Sequence, residues 1–270
     1  MIQWILNLPP LASAHGGALD DLTFYVHVLM AALFVGWGVY FVIALVRFRA
    51  ARNPQANPDG VKNHYSTYVE VGVIIAEAVL LLGFSVPLWA LRVDDFPDPA
   101  NATVVRVVAQ QFAWNIHYPG PDGKFGPTSP ALVDGQSNPV GLDRKDPAAA
   151  DDIVTVNQLH LPVNKPAIIH VSSLDVIHSF GLQEMRVKQD VIPGLSTPLW
   201  FVPTVTTDEM RGRRGDPEWT YEISCAQLCG LGHYRMRGFL TVDTPEQYQA
   251  WLDAEGKKLQ EGGGEDDVWG

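Results

Sequence analysis

The sequence has few cysteines, few charges and few basic residues. Two cysteines in 270 residues are too few for a disulfide-rich secreted scaffold. Charged residues make up 18% of the chain, below the roughly one quarter that is usual, and this shortfall often indicates a membrane-embedded part. The net charge of −11 argues against a nucleic-acid partner, and the hydrophobic content of 47% excludes a disordered chain.

Two long runs are almost free of charge. The run from Leu22 to Val46 contains no Asp, Glu, Lys or Arg, and the run from Val71 to Leu91 contains only Glu77. A helix crosses a bilayer with about 20 apolar residues, so each run is long enough. The polar connection between them predicts a transmembrane helical hairpin over residues 21–93, with the lipid bilayer as a partner.

The basic residues predict how the hairpin is oriented. The connecting loop carries Arg47, Arg49, Arg52 and Lys62, whereas residues 1–21 carry no Lys or Arg. Because basic loops stay inside, we expect a bacterial-type inner membrane protein with a cytoplasmic loop, both termini outside and the rest of the chain outside. The N-terminal segment, residues 1–20, contains Ala12-Ser13-Ala14, which is typical of a signal cleavage site, but it has no basic start. Cleavage therefore stays open.

Six short runs rich in β-branched and aromatic residues follow the second span. They cover residues 103–110, 153–161, 166–173, 197–205, 218–224 and 238–242. Short strands between turn residues predict an antiparallel β-sandwich or barrel over residues 94–243, outside the membrane. The Gly-, Pro- and Asp-rich stretch 119–151 predicts an irregular surface excursion. Residues 244–270 are expected to form a C-terminal helix and a flexible acidic tail.

The segment from Cys225 to Met236 concentrates metal-binding side chains. Cys225, Cys229, His233 and Met236 follow directly after a predicted strand. Thiolate, imidazole and thioether are soft donors that suit copper or zinc, and the thioether favours copper. A single blue copper site needs only one Cys, so the second Cys indicates two metals that share two thiolates. A second imidazole has to come from elsewhere, and His178 is the best-placed candidate.

Residue types alone leave two other interpretations open at this point. Cys225 and Cys229 could form a disulfide, since an extracytoplasmic domain permits one. Two Cys and two His could also hold a zinc ion. The spacing does not decide between these and copper.

The pattern Cys-x3-Cys-x3-His-x2-Met, with Asp-Val-Ile-His-Ser upstream and a two-helix hairpin before it, resembles subunit II of the haem–copper cytochrome c oxidases. The resemblance implies an α+β membrane protein with a cupredoxin-like domain that holds a binuclear copper centre of the CuA type. The implied ligands are His178 and His233, one on each copper; Cys225 and Cys229, which bridge both; Met236, a weak axial ligand; and the backbone carbonyl of Gln227, its counterpart.

This resemblance implies an electron-transfer subunit of an aerobic terminal oxidase. Cytochrome c or another c-type cytochrome would reduce the copper pair, and haem in subunit I would receive the electrons and reduce oxygen to water, coupled to proton pumping. The implied partners are subunit I and the other oxidase subunits, and the oxygen chemistry is expected in a partner. The alternatives from other classes are a membrane-anchored copper carrier or assembly protein and a structural module with a disulfide.

Two implied features concern the surface of the copper domain. Relatives carry Trp-x-Trp after a Gln where electrons enter, and the corresponding residues here are Gln111, Phe112 and Trp114. Two core aromatics on alternate strand positions are an equally open interpretation.

Many relatives have Glu at the position of Gln227, where it helps to hold a magnesium or manganese ion shared with subunit I. A neutral amide is a poorer ligand for such an ion, which puts that shared site in doubt.

The carboxylates of the second span form the last candidate site. Glu70 lies near its inner end and matches an acidic residue that, in this family, stands where protons enter a pathway in subunit I. A simple interfacial anchor is the alternative for Glu70. Glu77 lies within the span, where a carboxylate is unfavourable unless it faces protein or water.

Overall fold

The computed structural model describes residues 6–55 and 63–261, which fall into two compact units. One is a helical unit that includes residues 18–55 and 63–94, and the other is a β unit that combines Pro9–Gly17 with the chain from Asp95 onwards. Part of the predicted connecting loop, residues 56–62, and the predicted acidic tail, residues 262–270, lie outside the described residues. The chain therefore leaves the β unit once and returns to it after two helices.

The helical unit contains α1 (Gly16–Arg47) and α2 (Tyr65–Val93), both long and apolar enough to cross a membrane. Together with the sandwich described below, they confirm the expected two-helix fold class. Between Val79 and Ser85, α2 widens into a π-helical stretch in which the Val86 N–H donates to the Leu81 carbonyl, five residues back. Pro87 follows directly and has no N–H, so it cannot continue the ordinary helical hydrogen bonds. The widened turn accommodates the proline within the span.

Ten strands lie within the described residues and form two five-stranded sheets. The first sheet contains β1 (Thr103–Gln110), β2 (Ala113–Tyr118), β3 (Ile153–Val156), β5 (Ala167–Ser173) and β8 (Thr197–Phe201), in the order β3-β2-β1-β5-β8. The second contains β4 (Gln158–Pro162), β6 (His178–Leu182), β7 (Val187–Val191), β9 (Tyr221–Cys225) and β10 (Arg237–Asp243), in the order β4-β10-β9-β6-β7. The expected sandwich is confirmed.

The strand directions differ from the purely antiparallel arrangement that was expected. Strand β1 pairs in parallel with β5, and β10 pairs in parallel with β4, while the other pairs are antiparallel. Parallel neighbours need a long crossover connection. Here the chain changes sheets between the paired strands, and this produces one parallel pair in each sheet.

The apolar core lies between the two sheets. Alternate residues of β1 are buried, as expected for a strand with one face inward. The largest fully buried side chains are Trp114, Tyr118, Tyr221, Phe180 and Phe201. Strand β2 is buried on both faces, because the excursion 119–151 covers its outer side, where His117 pairs with Asp152 at 2.7 Å.

The predicted strand 153–161 is divided into β3 and β4 by Asn157, which has a positive φ of 58°. Asn is one of the few residues that adopt this conformation readily. The bend moves the chain from the first sheet to the second. The Asn157 side chain also accepts a hydrogen bond from the Trp114 N–H at 2.9 Å. Strands β2, β6 and β7 lie outside every predicted run.

Two helices pack on the β unit. Helix α3 (Thr207–Arg214) was not predicted, although Thr206 and Glu209 form a capping box that is readable in the sequence. Helix α4 (Pro245–Gln260) begins after Thr244, as predicted, and extends Trp251 over the sandwich. The Trp251 ring stacks on the His160 imidazole, with ring centroids 4.2 Å apart.

The N-terminal residues 9–14 form part of the β unit. The Ala12 N–H donates to the Glu184 carbonyl, and the Thr204 N–H donates to the Ala12 carbonyl, each at 2.8 Å. The Ser13 hydroxyl donates to the buried Met185 carbonyl at 2.7 Å, and Ala12 itself is fully buried in the core. Residues 1–20 were predicted to form one separate N-terminal segment, whereas in the structure residues 9–17 belong to the β unit.

Substitution within this segment tests whether the full-length protein keeps it folded on the sandwich. We expect Ala12→Leu to destabilise the β unit by about 1–3 kcal/mol, because extra methylenes would overpack a filled core. Ala14→Leu is the matched control, since Ala14 is exposed two residues further on. The measurement is denaturant unfolding of the β unit in the full-length chain. Equal stability of the two variants would contradict the packing of Ala12.

Candidate metal centre

Two neighbouring strands bring the predicted ligands together. Strand β6 starts at His178, and β9 ends at Cys225. The two strands are antiparallel partners in which Phe180 lies opposite Cys225, and the Ala226 N–H continues the pairing by donating to the Ser179 carbonyl at 2.9 Å. The start of one strand therefore lies beside the end of the other, and the loop after Cys225 closes over them.

All six predicted donors lie in one cluster. On one side, Cys225 Sγ lies 3.9 Å from His178 Nδ1 and 3.2 Å from the Gln227 carbonyl oxygen. On the other side, Cys229 Sγ lies 3.6 Å from His233 Nδ1 and 3.7 Å from Met236 Sδ. The two sulfur atoms are 3.8 Å apart and unbonded.

The cluster thus consists of two triads that meet at the thiols. Each triad has one thiol and one imidazole, and the third donor is a carbonyl oxygen in one half and a thioether in the other. Two thiol–imidazole pairs joined through their sulfurs fit a pair of copper ions, whereas a single tetrahedral zinc would use only four donors.

The two thiols differ in acidity. Burial disfavours the Cys225 thiolate, but hydrogen bonds with His178 and with the backbone around it outweigh burial and lower the pKa of Cys225 to about 6. Burial and the neighbouring Cys225 charge raise the pKa of Cys229 to about 11. The surroundings therefore favour the thiolate at Cys225 and the neutral thiol at Cys229.

A carboxylate orients the first imidazole. Asp175 Oδ1 accepts a hydrogen bond from His178 Nε2 at 2.8 Å, and this bond orients the ring with Nδ1 towards the Cys225 sulfur. Burial opposes ionisation of Asp175, but the bonds from His178 and from backbone N–H groups outweigh it and lower the pKa of this carboxyl. A carboxylate behind a ligand imidazole is a common arrangement in metal sites. Asp175 was not among the predicted site residues, although its position three residues before His178 was a readable signal.

The two candidate aromatic residues lie at different depths. Trp114 is fully buried, with its ring edge-on to the His178 imidazole at 6.2 Å between centroids. Phe112 is half-buried and packs against the core, next to Gly232 of the loop between β9 and β10, residues 226–236, called the ligand loop below. Phe112 is thus the outer member of the pair and Trp114 the inner one.

The rim of the cluster is exposed and apolar. Leu231 is 98% exposed, Tyr234 87% and Leu228 77%, and the Gln227 side chain is also exposed. The donors beneath are covered, since Cys229 and Met236 are almost fully buried. Glu70 and Glu77 lie elsewhere, on exposed positions of α2 in the helical unit.

Comparison with known proteins agrees with this geometry. Residues 103–241 match the family described as cytochrome c oxidase subunit II, periplasmic domain. The chain belongs to the cytochrome c oxidase subunit II family. It is therefore a membrane-anchored subunit of a haem–copper oxidase, a respiratory oxidoreductase, with two apolar helices and a cupredoxin-like domain. Members of this family normally bind a CuA centre.

Individual relatives cover most of the chain. It is similar to the alternative cytochrome c oxidase subunit 2 of Bradyrhizobium diazoefficiens, with 35% identity over 88% of this chain and 80% of that protein. It is also similar to cytochrome c oxidase subunit 2 of Cereibacter sphaeroides, with 28% identity over 90% and 78%. Among solved structures, the periplasmic domain of subunit II of cytochrome oxidase (CoxB) of Bradyrhizobium japonicum matches 60% of this chain and 98% of its own length, with 25% identity and a TM-score of 0.41.

The acidity difference between the thiols is measurable in the metal-free chain. We expect alkylation of Cys225 to rise through about pH 6, because its thiolate forms there, while alkylation of Cys229 rises only near pH 11. The measurement is the rate of labelling at each cysteine, mapped by mass spectrometry across the pH range. Equal labelling of both thiols at neutral pH would show that the hydrogen bonds around Cys225 do not favour its thiolate.

Proposed function

We propose that the chain is the electron-transfer subunit of an aerobic terminal oxidase. It accepts electrons from cytochrome c, or another c-type cytochrome, at a binuclear copper centre, and it passes them to haem in subunit I, where oxygen is reduced to water and protons are pumped. The observation that carries the proposal is the convergence of two imidazoles, a thioether and a backbone carbonyl on two thiols 3.8 Å apart. Membership of the subunit II family supports it.

The donor set assigns a task to each residue. His178 and His233 would each hold one copper, Cys225 and Cys229 would be shared by both ions, and Met236 and the Gln227 carbonyl would be weaker donors. A bound copper pair supplies a one-electron carrier whose charge is shared between two ions. Both cysteines would hold copper as thiolates, so Cys229, whose pKa is raised, would have to lose its proton for copper to bind.

The scaffold contributes rigidity and exclusion of water. His178 is fixed by strand pairing and by Asp175, and Cys225 by pairing with β6. Cys229 and Met236 are almost fully buried. Fixed, dry ligands change little in geometry when the electron number changes, which favours fast transfer.

The residues around the donor cluster bear on how the electron donor and subunit I bind. Phe112 is half-buried beside the ligand loop, with Trp114 behind it against His178, so we propose that electrons enter along this pair. The strongly acidic chain favours a cationic donor through long-range attraction. The exposed side chain of Gln227 is a neutral amide, which weakens the case for a magnesium or manganese ion shared with subunit I.

The burial of the donors also bears on the alternative function. A copper carrier or assembly protein needs ligands that exchange readily with a partner. Here His178 is fully buried, and the donors come from two segments that only the folded sandwich brings together. The free thiols do not favour the disulfide module.

Copper content and spectrum test this proposal. We expect the full-length chain to bind two coppers and to show the near-infrared band of a delocalised mixed-valence pair. Cys225→Ser and Cys229→Ser should abolish that band, because each thiolate bridges both ions. Met236→Leu should retain two coppers and shift the potential, since a thioether contributes one weak bond.

Met210→Leu is the matched control, because Met210 is fully buried on α3, away from the donor cluster. One copper per chain, or equal loss of copper in the two Cys variants and Met236→Leu, would overturn the binuclear assignment.

Substitution of the α2 carboxylates tests the proposal that Glu70 takes part in proton uptake. We expect Glu70→Gln in the assembled oxidase to slow turnover without a change in the copper spectrum or in reduction by cytochrome c. Glu77→Gln is the comparison, because seven residues place it about 10 Å further along the same helix face. A defect in Glu77→Gln alone would move the proton role deeper into the span, and normal turnover in both variants would make the carboxylates structural.

A further inference from the structure

The donor cluster is built from two segments, of which one is fixed by strand pairing and the other is a loop. His178 and Cys225 lie on the paired strands β6 and β9. Cys229, with His233 and Met236, lies beyond the strand in the ligand loop. The distance between the two halves therefore depends on whatever fixes this loop relative to β6.

Gln111, in the turn between β1 and β2, contacts both segments. Its side-chain Nε2 donates to the Cys229 carbonyl at 2.6 Å. Its backbone N–H donates to Asp175 Oδ2 at 2.7 Å, and the other oxygen of that carboxylate accepts from His178 Nε2 at 2.8 Å. A continuous hydrogen-bonded path thus runs from the His178 ring, through Asp175 and Gln111, to Cys229.

The ligand loop is shaped to receive this turn. Gly230 has a φ of 134°, and a Cβ there would lie 2.6 Å from Gln111 Nε2. A Cβ on Gly232 would overlap the Phe112 ring. The loop therefore has no side chain at the two points where Gln111 and Phe112 pack on it.

We propose that Gln111 is a positioning residue of the metal centre, which holds the Cys229 half of the cluster in register with the His178 half. The inference rests on the proposed copper function. The hydrogen bond from the Gln111 backbone N–H to Asp175 does not need the side chain. A substitution at Gln111 therefore removes only the hydrogen bond from its side-chain amide to the Cys229 carbonyl. Without that link, the Cys229 carbonyl loses its donor and the ligand loop is free to shift relative to His178.

The test uses the full-length, copper-loaded chain in detergent with Gln111→Met, which keeps length and neutrality but cannot donate. We expect copper release to an excess chelator to be about tenfold faster, in line with the loss of affinity on removing an outer partner of a ligand. The near-infrared band should broaden or shift. Gln111→Asn, whose amide is too short to reach Cys229, should behave in the same way.

Gln110→Met is the matched control. Gln110 is the adjacent residue, and its Nε2 also donates to a backbone carbonyl, that of Gly135 in the excursion, at 3.0 Å. It makes no corresponding bond to the ligand loop, so this variant should keep the wild-type spectrum and release rate. Thermal unfolding of the metal-free variants separates positioning from general stability.

Wild-type copper retention and spectrum in both Gln111 variants would overturn the inference, whatever the effect on unfolding. The same holds if Gln110→Met loses copper as fast as Gln111→Met. Failure of the wild-type chain to bind two coppers would instead overturn the proposed function, so the two failures are distinguishable.

Discussion

The pairing of β6 with β9 is the interaction on which the donor cluster depends. It places the first residue of one strand, His178, beside the last residue of the other, Cys225. Because strand register is fixed by the buried face, a shift by one residue would turn His178 away from the sulfur and into solvent. Packing of the sandwich core therefore fixes the positions of the metal-binding side chains at the ends of these two strands.

Much of the molecule could be predicted from local pattern. The two spans were readable as long uncharged runs, and the six donors as a spaced motif that matched a known family. Strand β1 and the start of α4 lie where the sequence placed them. In each case a short window of sequence contains the physical cause, whether it is hydrophobic length, alternation or a capping residue.

The remaining features depend on contacts between distant residues. Asn157 divides one apparent strand because its side chain and backbone bond to Trp114, which precedes it by 43 residues. The polar strand β7 is stabilised by pairing with β6 and carries little signal of its own. The role of Gln111 appears only when its turn, the Asp175 loop and the loop that carries Cys229 are brought together. Helix α3 is different, since its capping box was present in the sequence and was overlooked.

The N-terminal segment has a consequence for the order in which the protein folds. Ser13 bonds to Met185, 172 residues later, and both membrane helices lie between them in the chain. Ala12 is made early, but its place in the core exists only after β8 has been synthesised. Completion of the sandwich thus waits for both crossings of the membrane. A chain whose hairpin inserted incorrectly would hold Ala12 on the wrong side or out of reach, and its sandwich would keep an unfilled position and unpaired backbone groups near Glu184 and Thr204. Closure of the sandwich therefore requires the N-terminal segment and β8 to lie on the same side of the membrane.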